Sequence, residues 1–281
     1  MFYVDKTLSM RITLAFISFF LLCSSCQKNS ITGRKQLILI NESDLQQMST
    51  AEYKSFLTKN KVVQAGSSSD QEMVTRVGKR IATGVEAFIK KQGKTELLEG
   101  YKWEFNLVDS KDINAWCMPG GKVVVYTGLL PVAQNEAGLA VVMGHEIAHA
   151  VAKHGNERMS QGLMQQMGGI ALSVAVANQP AETQDLFLNA YGIGSTVGGT
   201  LPFSRKHELE ADRYGLIFAA IAGYDPREAI GFWDRMAKMS GGQKPPEILS
   251  THPSDETRIE KIKEYAREAM TYYKPENQLG K

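Results

Sequence analysis

His145, Glu146 and His149 lie in the run His145-Glu146-Ile147-Ala148-His149, and their types and spacing suit metal-assisted hydrolysis. Residues four apart on a helix share a face, so both imidazoles can reach one ion through bonds of about 2.0–2.1 Å. Glu146 stands one residue round from His145, where a carboxylate can take a proton from water beside the metal. The pattern therefore provides two ligands and a general base. Three fixed positions in five also arise by chance, and the alternative is a core helix with two hydrogen-bonded histidines.

A catalytic zinc keeps three protein ligands and an open position. An extension with glycine three residues beyond the second histidine, and histidine three further on, is excluded because those positions are Ala152 and Gly155. His154 falls one short. On a continuing helix it points away from His145 and His149, and it is read as a structural or surface histidine. The better candidate is Glu208, in the run Ser204-Arg205-Lys206-His207-Glu208-Leu209-Glu210-Ala211-Asp212-Arg213-Tyr214-Gly215. Glu208 and Asp212 share a helical face. Asp212 suits the role of accepting the outer N–H of a ligating histidine, which fixes its tautomer. Glu210 points elsewhere and is read as solvent-facing or paired with Arg213 or Lys206. Alone, this segment would pass for a charged surface helix.

These side chains need long, well-started helices. Asn135 can cap the first turn of the histidine helix, and Glu136 complements its positive end. Leu139, Val142, Met143, Ile147 and Val151 recur at helical spacing, with Gly155 as a stop. Upstream, residues 36–40 read as a brief strand and 42–59 as a helix. Asp70 is expected to cap a helix carrying Val74, Val77, Ile81, Val85 and Phe88. Trp103, Phe105 and Leu107 alternate as a strand does. Downstream, residues 159–178, 226–239 and 255–270 read as helices. The glycine-rich stretch 191–200 suits either a mobile lid or close helix packing.

HEIAH followed by SRKHELEAD resembles the CAAX-prenyl-protease/HtpX/OMA-type family of gluzincin zinc metallopeptidases, in its non-integral bacterial lipoprotein branch. The resemblance runs from Thr32-Gly33-Arg34-Lys35-Gln36-Leu37 to Thr251-His252-Pro253-Ser254 and takes in Asn114-Ala115-Trp116 and Pro119-Gly120-Gly121. It implies an α+β, mostly helical zincin-like domain with a small antiparallel sheet, whose edge strand lies beside the HExxH helix. It implies one zinc per chain on His145, His149 and Glu208, with Glu146 as base. It also implies a substrate strand at Asn114, Ala115, Trp116 and Cys117, binding extended peptide through main-chain hydrogen bonds. His252 resembles a family histidine near the metal that stabilises the oxyanion or occludes the zinc, and Arg258 would support its loop. Integral members carry membrane spans between the two zinc segments; here the apolar run 170–177 is too short.

Residues 1–25 read as a signal peptide: Lys6 and Arg11 precede an apolar run over 12–22. Ser24-Ser25-Cys26 suits lipoprotein processing, although Cys23 stands where leucine is usual. A lipidated Cys26 would tether the protein to a membrane through residues 26–35, ahead of a metallopeptidase domain at 36–281. The absence of an acidic residue after Cys26 points to the outer membrane, facing the periplasm. Of three cysteines, Cys117 is left as a small buried thiol. Thirty-two basic residues against thirty acidic ones, with no basic block, give no case for nucleic acid. The expected activity is endoproteolysis of unfolded or misfolded envelope proteins, in quality control. The alternative is a periplasmic chaperone or assembly factor with a plugged or structural zinc.

Overall fold

The computed structural model describes residues 26–167, 186, 190, 204–240, 246–252 and 256–275. The expected signal peptide, the apolar run 170–177 and the glycine-rich stretch 191–200 lie outside the described residues. Strands β1 (Cys26–Lys28) and β2 (Lys35–Leu37) form an antiparallel hairpin. Helices α1 (Glu42–Lys59) and α2 (Ser69–Lys91) follow. The cap of α2 is Ser68 rather than Asp70, its hydroxyl accepting from Gln71 N at 3.2 Å. The helix thus starts two residues earlier than expected.

Strands β3 (Glu104–Val108), β4 (Ala115–Met118) and β5 (Lys122–Tyr126) make a sheet of order β3-β5-β4. The sheet is mixed rather than antiparallel throughout. The tight Pro119-Gly120-Gly121 turn forces β4 and β5 antiparallel, while the 109–114 connection carries the chain past β5 and leaves β3 parallel to it. Alternation along β4 and β5 divides two cores. Ala115, Cys117, Val123 and Val125 face α2 and the histidine helix, whereas Trp116, Met118 and Val124 face Leu45, Met48 and Tyr53 of α1.

The short helix α3 (Leu130–Ala133) leads into the histidine helix α4 (Glu136–Val151). Asn135 caps α4 by accepting from Gly138 N at 2.8 Å. Every residue from Gly138 to Val151 is buried, so α4 is the axis of the core, with the buried edge strand β4 packed against it. The helix does not continue to Gly155. It ends at Val151; Lys153 takes a left-handed φ of 57°, and α5 (His154–Met167) starts in a new direction.

Helix α6 (Arg205–Ile221), capped by Ser204, crosses α4 at two facing glycines. A methyl group on Gly144 would lie 2.6 Å from Gly215 O, so glycine at both positions is what permits the approach. Helices α7 (Glu228–Ser240), α8 (Glu247–Thr251) and α9 (Glu256–Ala269) complete the described fold. Among the described residues, no helix is long and apolar enough to cross a membrane.

Candidate metal centre

His145 and His149 on α4, Glu208 on α6 and His252 just after α8 are all buried and offer ligand atoms within 4.8 Å of one another. His145 Nε2 lies 3.0 Å from His149 Nε2 and 3.2 Å from His252 Nδ1. Glu208 Oε1 is 3.4 Å from His149 Nε2 and 3.0 Å from His252 Nδ1, and Oε2 is 3.5 Å from His145 Nε2. Ligands on a tetrahedron with bonds of about 2.0–2.1 Å are separated by about 3.3–3.4 Å. The four donors therefore have the spacing of one tetrahedral site.

The outer ring nitrogens show why these donors call for a cation. His145 Nδ1 lies 2.9 Å from Asp212 Oδ1, a carboxylate that can only accept, so the proton belongs on Nδ1. His154 Nε2 lies 2.9 Å from Glu210 Oε2 and carries its proton there for the same reason. That leaves His154 Nδ1 as an acceptor for His149 Nδ1, 3.1 Å away. Both His145 and His149 then present bare Nε2 lone pairs to each other and to the Glu208 carboxylate. A cation between them turns repulsion into coordination, and nitrogen with carboxylate oxygen is a donor set suited to zinc.

Asp212 thus takes the position expected of it. Arg258 holds it from α9, Nε donating to Oδ2 at 2.8 Å and Nη2 to Oδ1 at 2.9 Å. The same guanidinium is 2.8 Å from Glu208 Oε2, donates to His252 O at 3.3 Å, and lies 3.9 Å over the Trp233 ring. Arg258 therefore fixes the His252 loop and the Glu208 and Asp212 carboxylates of α6.

His154 and Glu210 are placed otherwise than the sequence suggests. Of the structural and surface alternatives His154 takes the structural one, wholly buried, but it faces His149 rather than pointing away, because the break at Lys153 turns it back. Glu210 pairs with His154 and Arg34 rather than with Arg213 or Lys206; Arg213 is engaged by Glu268. The signal for His154 lay in the Lys153-His154-Gly155 junction, where a helix break reorients every later side chain.

Electrostatics separate the acidic residues by task. Burial raises the Glu146 carboxyl above its ordinary value, nearby His252 and His145 only partly opposing it, and Oε1 is buried without a hydrogen-bond partner among the described residues. Burial works the same way on Glu208 and Asp212, but the surrounding histidines and Arg258 outweigh it and hold both low. Glu208 and Asp212 are thus kept as anions, while Glu146 is kept basic. Cys117 is buried and free, and burial pushes its thiol up.

Crossed helices that supply two histidines and a glutamate, beside the edge of a small sheet, make a zincin-like α+β metallopeptidase fold. Residues 68–266 match peptidase family M48, and the chain belongs to that family. It is 38% identical over 195 residues to the mitochondrial metalloendopeptidase OMA1 of Arabidopsis thaliana, covering 68% of this chain and 38% of the relative. Against the human mitochondrial metalloendopeptidase OMA1 it is 31% identical over 267 residues, 92% of this chain and 48% of the relative. Against the beta-barrel assembly-enhancing protease of Escherichia coli it is 32% identical over 167 residues, 56% of this chain and 33% of the relative. The chain spans about half or less of the length of these relatives.

Proposed function

We propose that this chain is a zinc-dependent endopeptidase of the bacterial cell envelope, with His145, His149 and Glu208 as metal ligands and Glu146 as general base. The observation that carries the reading is the convergence of two outward-pinned histidines on the Glu208 carboxylate, with the unpartnered Glu146 oxygen beside them. Zinc bound there would polarise a peptide carbonyl and make water a better nucleophile near neutral pH. Glu146, raised by burial, would take the proton from the attacking water and return it to the leaving amine. His252, whose Nε2 is 3.6 Å from Glu146 Oε1, would donate to the oxygen that gains charge as the carbonyl is attacked.

The substrate would lie along β4. Tyr126 N donates to Asn114 O, so by antiparallel alternation Trp116 and Met118 pair inward. The main-chain groups of Ala115 and Cys117 then point away from β5, beside α4, where a substrate strand would take the place of the Asn114 Oδ1 that now accepts from Ala115 N at 2.9 Å. Main-chain pairing of this kind selects extended peptide rather than particular side chains. Unfolded or misfolded envelope proteins fit that requirement, and the Escherichia coli relative named for β-barrel assembly supports a task in envelope quality control. The sequence Ser24-Ser25-Cys26 supports anchoring by a lipid on Cys26 at the outer membrane, facing the periplasm.

The test is cleavage of unfolded casein by the wild-type protein with zinc. Activity lost in Glu146→Gln and in a chelated sample, with zinc still bound by Glu146→Gln, supports the mechanism; turnover by that variant refutes it. One observation favours a second reading, a latent enzyme or a holding protein: His252 Nδ1 stands among the donors, where it would close the fourth position. Where the wild type is inactive with zinc bound, activity that emerges in His252→Ala identifies latency.

A further inference from the structure

Resting on the zinc reading, we propose that His154 is a positioning residue for His149, and that Arg34 of the N-terminal hairpin holds the chain of contacts that sets it. The hairpin precedes the 68–266 family match. It nonetheless contacts the three helices around the metal centre.

Arg34 Nε donates to Glu210 Oε1 at 2.7 Å, while Nη1 and Nη2 donate to the two Glu157 oxygens at 2.8 and 2.7 Å. Glu210 in turn accepts from His154 Nε2, and His154 Nδ1 faces His149 Nδ1. The His154 ring is also stacked on His207, centroids 4.5 Å apart and planes 19° off parallel, and His207 Nε2 is 2.9 Å from Glu157 Oε2. His154 is thus fixed at both nitrogens and on one face. It can present a single acceptor to His149 Nδ1, which fixes the His149 tautomer with Nε2 bare.

The two histidines of α4 are consequently served by parallel devices. Asp212, gripped by Arg258, serves His145 directly. Glu210, gripped by Arg34, serves His149 through an interposed imidazole. Isolated surface ion pairs contribute little, but the two carboxylates that Arg34 holds, Glu157 and Glu210, are 7% and 19% exposed, and both face rings rather than water. The hairpin is itself fastened to the same helices. Asn29 Nδ2 and Gln36 Nε2 donate to Ala152 O at the end of α4, at 2.8 and 2.9 Å, and the Tyr214 hydroxyl on α6 donates to Ile31 O at 2.8 Å.

The experiment measures zinc affinity by chelator competition, together with the visible spectrum of the cobalt(II)-loaded protein. The proteins are wild type, His154→Ala, His154→Asn, Arg34→Ala and Arg213→Ala. His154→Ala is expected to weaken zinc about 10- to 100-fold, the usual effect of losing a ligand's outer partner, and Arg34→Ala about 3- to 10-fold. Both should shift the cobalt bands. His154→Asn, whose amide oxygen can accept from His149 Nδ1, should recover part of the loss. Arg213, on the same helix as Glu210, makes a bidentate pair with Glu268 of α9 outside this chain of contacts, and Arg213→Ala should change neither readout. His154→Ala and Arg34→Ala with zinc affinity within twofold of wild type and unmoved cobalt bands overturn the proposal. So does a loss of affinity in Arg213→Ala as large as theirs. A wild-type protein that binds no zinc overturns the underlying metal reading instead.

Discussion

Gly215→Ala offers a test in which two well-known effects have opposite signs. Alanine is the better helix former by about 1 kcal/mol, so an unobstructed exchange within α6 would stabilise the protein. A Cβ on Gly215, however, would stand 2.7 Å from His145 N and 2.8 Å from His145 Cα, both backbone atoms that cannot rotate away. Ordinary contact begins near 3.4 Å, so α4 and α6 must part locally by about 0.7 Å. Overpacking of this kind costs about 1–3 kcal/mol. Net of the helix gain, the expected loss is about 0–2 kcal/mol, or a fall in Tm of up to about 8 °C. The metal centre is hit harder. His145 and His149 ride on one helix and Glu208 on the other, and metal–ligand distances tolerate about 0.2 Å. Zinc affinity should therefore drop by more than the stability loss alone implies, by about 100-fold. Thermal unfolding of the metal-free form and chelator competition read the two effects separately. A variant that melts at or above wild type and binds zinc equally well refutes the close-approach argument.

Acid should weaken the fold through Glu157. Burial alone would raise its carboxyl, but Arg34 and His207 bring it down to about 2 from 4.5. A depressed carboxylate stabilises the fold above its unfolded pKa and loses that effect as pH falls through its folded one. About 3 kcal/mol should thus be present above about pH 4.5 and fade toward pH 2. Denaturant unfolding against pH should show a shallower slope in that window for Glu157→Gln, and equal slopes would count against the assignment. Arg258→Ala leaves Asp212 and Glu208 buried together without their shared cation, at a cost of about 3–5 kcal/mol. Urea unfolding should show that loss, and a loss under 1 kcal/mol would mean that the two carboxylates have other support.

What the sequence disclosed, and what it hid, follows from the range of the interactions. The Asn135 cap, the shared face of His145 and His149, and the placing of Glu208 and Asp212 one turn apart are all properties of single helices. A linear reading reaches such features, and the residues 42–59 expected as a helix form α1. His154 was misplaced because one left-handed residue, Lys153, changes where everything after it points. Glu210 was misplaced because its partner Arg34 is 176 residues away and no local pattern couples them. The parallel pairing of β3 with β5 was hidden for the same reason: hairpin rules describe neighbours in sequence, not a strand reached by a crossover.

The span of those contacts also sets an order of assembly. Arg34 must meet Glu210 across 176 residues, and His145 must meet His252 across 107. Closing such loops costs entropy before any contact repays it, so local helices form first and these junctions last. The proposed base, the candidate ligands and their anchors come together only when residues 34 to 258 are all in place. A chain still emerging, or only partly folded, holds scattered histidines and carboxylates but no assembled metal centre.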